Sequence, residues 1–92
     1  MNAMIRKRVT VHGQVQGVGF RYYTRGKAEQ WRLAGYVRNR PDGSVEVEIE
    51  GEDTAVSRML TWLQAGPHSA VVDGTQVAEV PVIGENGFSI IH

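Results

Sequence analysis

Ninety-two residues with eleven glycines, three prolines and no cysteine make one small domain with room for a modest core. They exclude disulfides, thiolate nucleophiles and cysteine-based zinc sites. The formal net charge of zero hides a division, because residues 1–40 hold nine of the ten lysines and arginines beside one acid, Glu29, whereas residues 41–92 hold nine acids against Arg58 alone.

Ile5, Val9 and Val11 alternate with Arg6, Arg8, Thr10 and His12, which is the period-two pattern of a half-buried strand. Phe20 to Leu33 then places Phe20, Tyr23, Ala28 and Trp31 at approximate helical spacing, with Gly26 costing about 1 kcal/mol relative to alanine and Ala34-Gly35 expected to end the helix. Tyr36 to Arg40 reads as a second strand, and Pro41-Asp42-Gly43 as a hairpin loop built from the residues such turns prefer. Ser44 to Glu50 is the cleanest strand, with Val45, Val47 and Ile49 on one face and Glu46, Glu48 and Glu50 on the other. That pattern predicts one face on a core and a second face, carrying the glutamates, in water.

Asp53 or Thr54 is a candidate cap for a second helix in which Val56, Met59, Leu60 and Leu63 keep the i, i+3, i+4, i+7 pattern up to Gly66-Pro67. Thr75 to Val80 and Phe88 to Ile91 supply a fourth strand and a short fifth. No repeat, linker or low-complexity segment interrupts this order, so residues 1–92 are expected to form a single domain. The order βαββαβ plus a terminal strand fits an α+β fold, the ferredoxin-like sandwich, with both helices on one face of an antiparallel sheet. If the basic and acidic halves interleave in that sheet, much of this charge becomes cross-strand and helix-surface pairing; the alternative, functional reading is a positive field around Arg21 that attracts small anions. The basic residues are not interleaved with aromatics in an RNA-binding motif, so no nucleic-acid partner is expected. No apolar run approaches membrane-spanning length and residues 1–8 lack the apolar stretch of a signal peptide, so no membrane partner and a cytoplasmic location are expected.

One run concentrates chemistry: Val11-His12-Gly13-Gln14-Val15-Gln16-Gly17-Val18-Gly19-Phe20-Arg21 joins a strand to a helix through three glycines and ends on an arginine. Glycines let successive N–H groups converge on one point, and the start of a helix adds the positive end of its dipole. An arginine supplies a planar fork matched to phosphate or carboxylate. The run is neither a P-loop, since no Lys-Ser or Lys-Thr follows the last glycine, nor a dinucleotide fingerprint, since the third glycine is missing. On these residues alone, an anion cradle and a plain tight turn with a solvated Arg21 stand about even.

The run GQVQGVGFR and the downstream run Gly35-Tyr36-Val37-Arg38-Asn39-Arg40-Pro41-Asp42-Gly43-Ser44-Val45, closing at Gly51, together resemble the two signature segments of the acylphosphatases. The resemblance covers essentially the whole chain. It implies hydrolysis of the carboxyl–phosphate bond of small acyl phosphates to carboxylate and inorganic phosphate, the latter being product and inhibitor. It implies a phosphate-binding loop of Gln16, Gly17, Val18, Gly19, Phe20 and Arg21, with catalysis by Arg21 and Asn39, and a monomer acting on a small-molecule substrate without metal or cofactor. An asparagine is no base at neutral pH, so Asn39 would orient a water through its carbonyl oxygen, the proton going to the substrate's own phosphate. Without the resemblance, Asn39 reads as a turn-side residue bonding its own backbone.

Ser44 is expected to support the site through a hydrogen bond, whereas Arg40 stands where some relatives have a small hydroxyl residue. His12, His68 and His92 are scattered and read as surface or strand-end residues without metal-ligand spacing. Two other functions share the fold: a module that holds a phosphorylated ligand without turnover, and a relative of the acylphosphatase-like domain of carbamoyl-transferring hydrogenase maturation proteins. The zinc-binding cysteines that mark the latter are absent.

Overall fold

The computed structural model describes residues 3–92. Its elements are β1 (Met4–Gln14), α1 (Phe20–Gln30), β2 (Ala34–Asn39), β3 (Val45–Glu52), α2 (Asp53–Ala65), β4 (Val71–Val80) and β5 (Phe88–Ile91). They build one five-stranded sheet in the order β4-β1-β3-β2-β5. Pairing is antiparallel from β4 to β2. The sheet becomes mixed at one edge, because β5 joins β2 in parallel. An antiparallel partner needs only a turn, whereas this strand arrives by a crossover from the opposite edge of the sheet.

The alternation along each strand sorts side chains onto two faces. Val9 and Val11 of β1, Val45, Val47 and Ile49 of β3 and Val37 of β2 are fully buried against both helices. From α2 come Val56, Met59 and Leu63, as the sequence pattern anticipates, with Leu60 at its margin. From α1 come Phe20, Thr24 and Ala28. Tyr23, expected in that stripe, is instead 49% exposed. Burial of each large side chain here contributes on the order of 2 kcal/mol, and this face supplies the drive for docking helices on the sheet.

The opposite face departs from the expected solvated ladder, since Glu46, Glu48 and Glu50 are only 6%, 7% and 2% exposed. Register explains it: Glu50 lies opposite Arg6 and Glu48 opposite Arg8 on β1, while Glu48 lies opposite Tyr36 and Glu46 opposite Arg38 on β2. Arg6, itself 3% exposed, donates from Nε to Glu48 at 2.7 Å, from Nη1 to Glu50 at 3.1 Å and from Nη2 to Glu85 at 3.2 Å. The connection 81–87 caps this cluster through the N–H groups of Ile83 and Gly84, which donate to Glu50 at 2.9 and 3.0 Å. Ion pairs this buried roughly offset their own desolvation. Net stability therefore comes from the aliphatic face, and the ionic face fixes which strands lie side by side.

Candidate functional site

The loop between β1 and α1 is shaped by its glycines. Gly17 and Gly19 take left-handed backbone angles, φ 74° and 78°, and Gly19 caps α1 by accepting the first helical bond from Tyr23 N–H at 3.1 Å. The helix has no side-chain cap and no acidic residue in its first turn. Its leading N–H groups are therefore left for an outside acceptor, at the positive end of the helix dipole.

Two side-chain bonds hold this loop from behind. Ser69 Oγ donates to the Val18 carbonyl at 2.6 Å, and Gln16 Nε2 donates to the carbonyls of Arg40 and Ser44 at 2.7 and 2.9 Å. Gln16 thus ties the loop to the hairpin turn that follows Asn39. Ser44 shapes the same turn, its N–H and Oγ donating to Asp42 Oδ1 at 2.9 and 2.6 Å. Those bonds hold the Asp42 carboxyl below its ordinary value.

Where α1 begins, the loop, the end of β2 and the end of β5 enclose a cleft of about 210 Å³. Gly17, Gly19, Phe20 and Arg21 line it from one side and Asn39 from the other. Of the expected binding residues, Gln16 and Val18 do not line it: the Gln16 side chain turns to the hairpin, and Val18 packs against the core. Arg21 Nη1 donates to the Ile91 carbonyl at 3.2 Å, which anchors one edge of the guanidinium. Asn39 Oδ1 is buried and, among the described residues, has no hydrogen-bond partner. Thr24 Oγ1 shares that condition within α1 but does not line the cleft.

Sequence reasoning missed part of the wall. Tyr22, Ile90 and His92 line the same cleft, and His92, expected to be a bystander, stands there because β5 docks beside β2. Nothing local to residues 88–92 announces that docking. Among the described residues no carboxylate side chain lines the cleft, whose polar groups include the Arg21 guanidinium, the Asn39 carboxamide and the His92 imidazole beside the start of α1. Such a set holds a compact anion and a polar molecule beside it.

Comparison with known proteins agrees with this geometry. The acylphosphatase family model matches residues 7–90. The chain is 45% identical over 85 residues to an acylphosphatase of Methanothrix thermoacetophila, covering 92% of this chain and 94% of the relative. It is 50% identical over 80 residues to that of Aeromonas salmonicida, covering 87% and 89%. The structure superimposes on the crystal structure of the Bacillus subtilis acylphosphatase with a TM-score of 0.91 at 37% identity, over 96% of this chain and 99% of that one. A cleft suited to a phosphoryl group, a matched fold and matches running nearly end to end place this chain in the acylphosphatase family.

Proposed function

We propose that this acylphosphatase cleaves small acyl phosphates in the cleft between the 15–19 loop and the end of β2. The phosphoryl oxygens accept hydrogen bonds from backbone N–H groups of the Gln16–Arg21 loop and from the Arg21 guanidinium. Asn39 Oδ1 accepts a proton-bearing bond from the attacking water, and its amide faces the phosphate. Water oxygen bonds to phosphorus as the bond from phosphorus to the acyl oxygen breaks, the carboxylate leaves with that electron pair, and the water's proton passes to the phosphate. A reaction of this kind needs positioning and charge neutralisation more than covalent help, because the carboxylate is already a good leaving group. Neither a metal nor a cofactor enters, and the protein acts as a monomer on a free small molecule, with inorganic phosphate competing for the cradle.

The observation that carries this reading is that Asn39, whose side-chain oxygen is buried without a partner among the described residues, lines the same cleft as Arg21. An acceptor left unpaired at such depth costs about 1–3 kcal/mol unless the occupant of the cleft supplies a donor. Turnover of benzoyl phosphate in the presence of a chelator, with phosphate titrated as inhibitor, tests it. Arg21→Ala is expected to weaken phosphate binding and turnover together. Asn39→Ala is expected to keep phosphate affinity while kcat falls on the order of 10²-fold. Native kcat in Asn39→Ala, or equal loss of phosphate affinity in both variants, removes Asn39 from the mechanism.

A further inference from the structure

Asn39 is the last residue of β2 and is flanked by two arginines that reach to the far side of the sheet. Arg38 donates from Nε and Nη2 to the two oxygens of Glu46 at 3.2 and 3.1 Å, and Arg40 Nη1 lies 3.6 Å from Glu46 Oε1. Tyr36 Oη also donates to Glu46. One buried carboxylate on the ionic face therefore holds both neighbours of Asn39, and Arg38 sits directly opposite it on the adjacent strand. Side chains alternate across a strand, so pinning residues 38 and 40 to one face fixes residue 39 toward the other, the face of the cleft. The backbone of the strand end is held by its ladder to β3 and by the Arg40 N–H bond to the Ser44 carbonyl at 2.9 Å, and the turn beyond by Gln16, so Glu46 adds the side-chain clamp on both neighbours of Asn39.

We infer that Glu46 is a positioning residue for hydrolysis, acting through Arg38 and Arg40 to hold the Asn39 carboxamide at the angle its bond to water requires. The inference rests on the assignment of Asn39 made above. A bidentate charged clamp on the flanking residues limits rocking of the strand end, and a misplacement of about 1 Å at a reacting group is enough to cost on the order of 10²-fold in rate. Among the described residues, the hydrogen bonds and ion pairs of Glu46 go to Tyr36, Arg38 and Arg40, none of which lines the cleft, so its loss is expected to leave the phosphate cradle as it is.

The test compares Glu46→Gln with Glu50→Gln, a second buried carboxylate of the same face whose partners are Arg6 and the 81–87 connection. For both variants and for the wild type, kcat with benzoyl phosphate and the inhibition constant for phosphate are measured. Glu46→Gln is expected to lower kcat about 10-fold with the phosphate constant unchanged, and Glu50→Gln to leave both unchanged whatever it does to stability. In the double variant Glu46→Gln/Asn39→Ala, kcat is expected to equal that of Asn39→Ala alone, since a residue acting through Asn39 has nothing left to position. Arg38→Gln weakens the clamp from its solvent side and is expected to reproduce the kcat loss if Glu46→Gln does not fold. Equal kcat loss in Glu50→Gln, a kcat loss that multiplies that of Asn39→Ala, or native kcat in both Glu46→Gln and Arg38→Gln overturns the proposal. Native kcat in Asn39→Ala overturns the assignment beneath it, and the two failures are thereby told apart.

Discussion

Arg21 lines the cleft and is held at one edge of its guanidinium by the Ile91 carbonyl. A lysine keeps the charge but offers neither the anchor nor paired donors in a plane. Arg21→Lys is therefore expected to lose on the order of 10²-fold in kcat/KM with its thermal unfolding unchanged, and near-native turnover marks Arg21 as a surface residue. At this scale the residues with chemistry were legible where they stand in compact runs, as Gly17, Gly19 and Arg21 do. The work of Gln16 was not, because its side-chain amide bonds residues 24 and 28 positions away. A glutamine inside a phosphate-binding run reads as a ligand contact, and only the fold shows that it braces the neighbouring turn. His92 and Ile90 escaped notice for the same reason, being wall residues by virtue of strand docking.

Among the elements, the boundaries that were misread each lack their usual marker. The end of α1 was expected at Ala34-Gly35, but the helix closes at Trp31 and Arg32 takes φ 56°. Leu33 N–H then bonds the Ala28 carbonyl at 2.8 Å and Arg32 N–H that of Glu29 at 3.2 Å, a helix stop that glycine normally signals and arginine conceals. Asp53 and Thr54 do not cap α2 either, since Glu52 occupies that position. Gly35 already belongs to β2, at φ 135°. A Cβ there would collide with the Glu48 carbonyl oxygen. Gly35→Ala is expected to cost about 2–3 kcal/mol by chemical denaturation, against a few tenths for the same change at Gly74, where a Cβ meets nothing within 4 Å and φ is not positive. The glutamate face of β3 was misjudged because a period of two identifies a face but not what lies over it.

That buried face also makes stability depend on pH. Burial opposes ionisation of Glu46, Glu48 and Glu50, but bonds from the arginines, from Tyr36 and from the Ile83 and Gly84 N–H groups outweigh it, so all three carboxyls fall below their ordinary value. Groups that bind protons more weakly folded than unfolded add stability above the unfolded value, here 4.5, and lose it as pH falls through the folded one. Denaturant midpoints are expected to hold from pH 7 to about 5 and to drop steeply below 4.5, with a smaller drop in Glu46→Gln. A midpoint that stays flat down to pH 3 contradicts the ion pairs.

For the whole molecule, the balance of ten cations against ten acids resolves into two regions. Arg6, Lys7, Arg8, Arg38 and Arg40 are spent in ion pairs with glutamates. Arg21, Arg25, Lys27, Arg32 and Arg58 enter none of these pairs and belong to the helices or their ends. Interleaving of a basic and an acidic half was legible in the charge count, and the cations outside these pairs lie on α1, just beyond it at Arg32, and on α2 at Arg58. Raising ionic strength from about 0.01 to 0.5 M is expected to lower kcat/KM several-fold while kcat holds, and a flat profile excludes steering.

The parallel strand β5 has a further consequence, for which part of the protein lets go first. Residues 15, 17 and 19–22 line one wall of the cleft and residues 90 and 92 part of another. β1 to β4 and both helices pack around the buried valines, whereas β5 sits at the sheet edge beside β2. A local opening that peels β5 from that edge therefore leaves a core behind and takes away the anchor of Arg21.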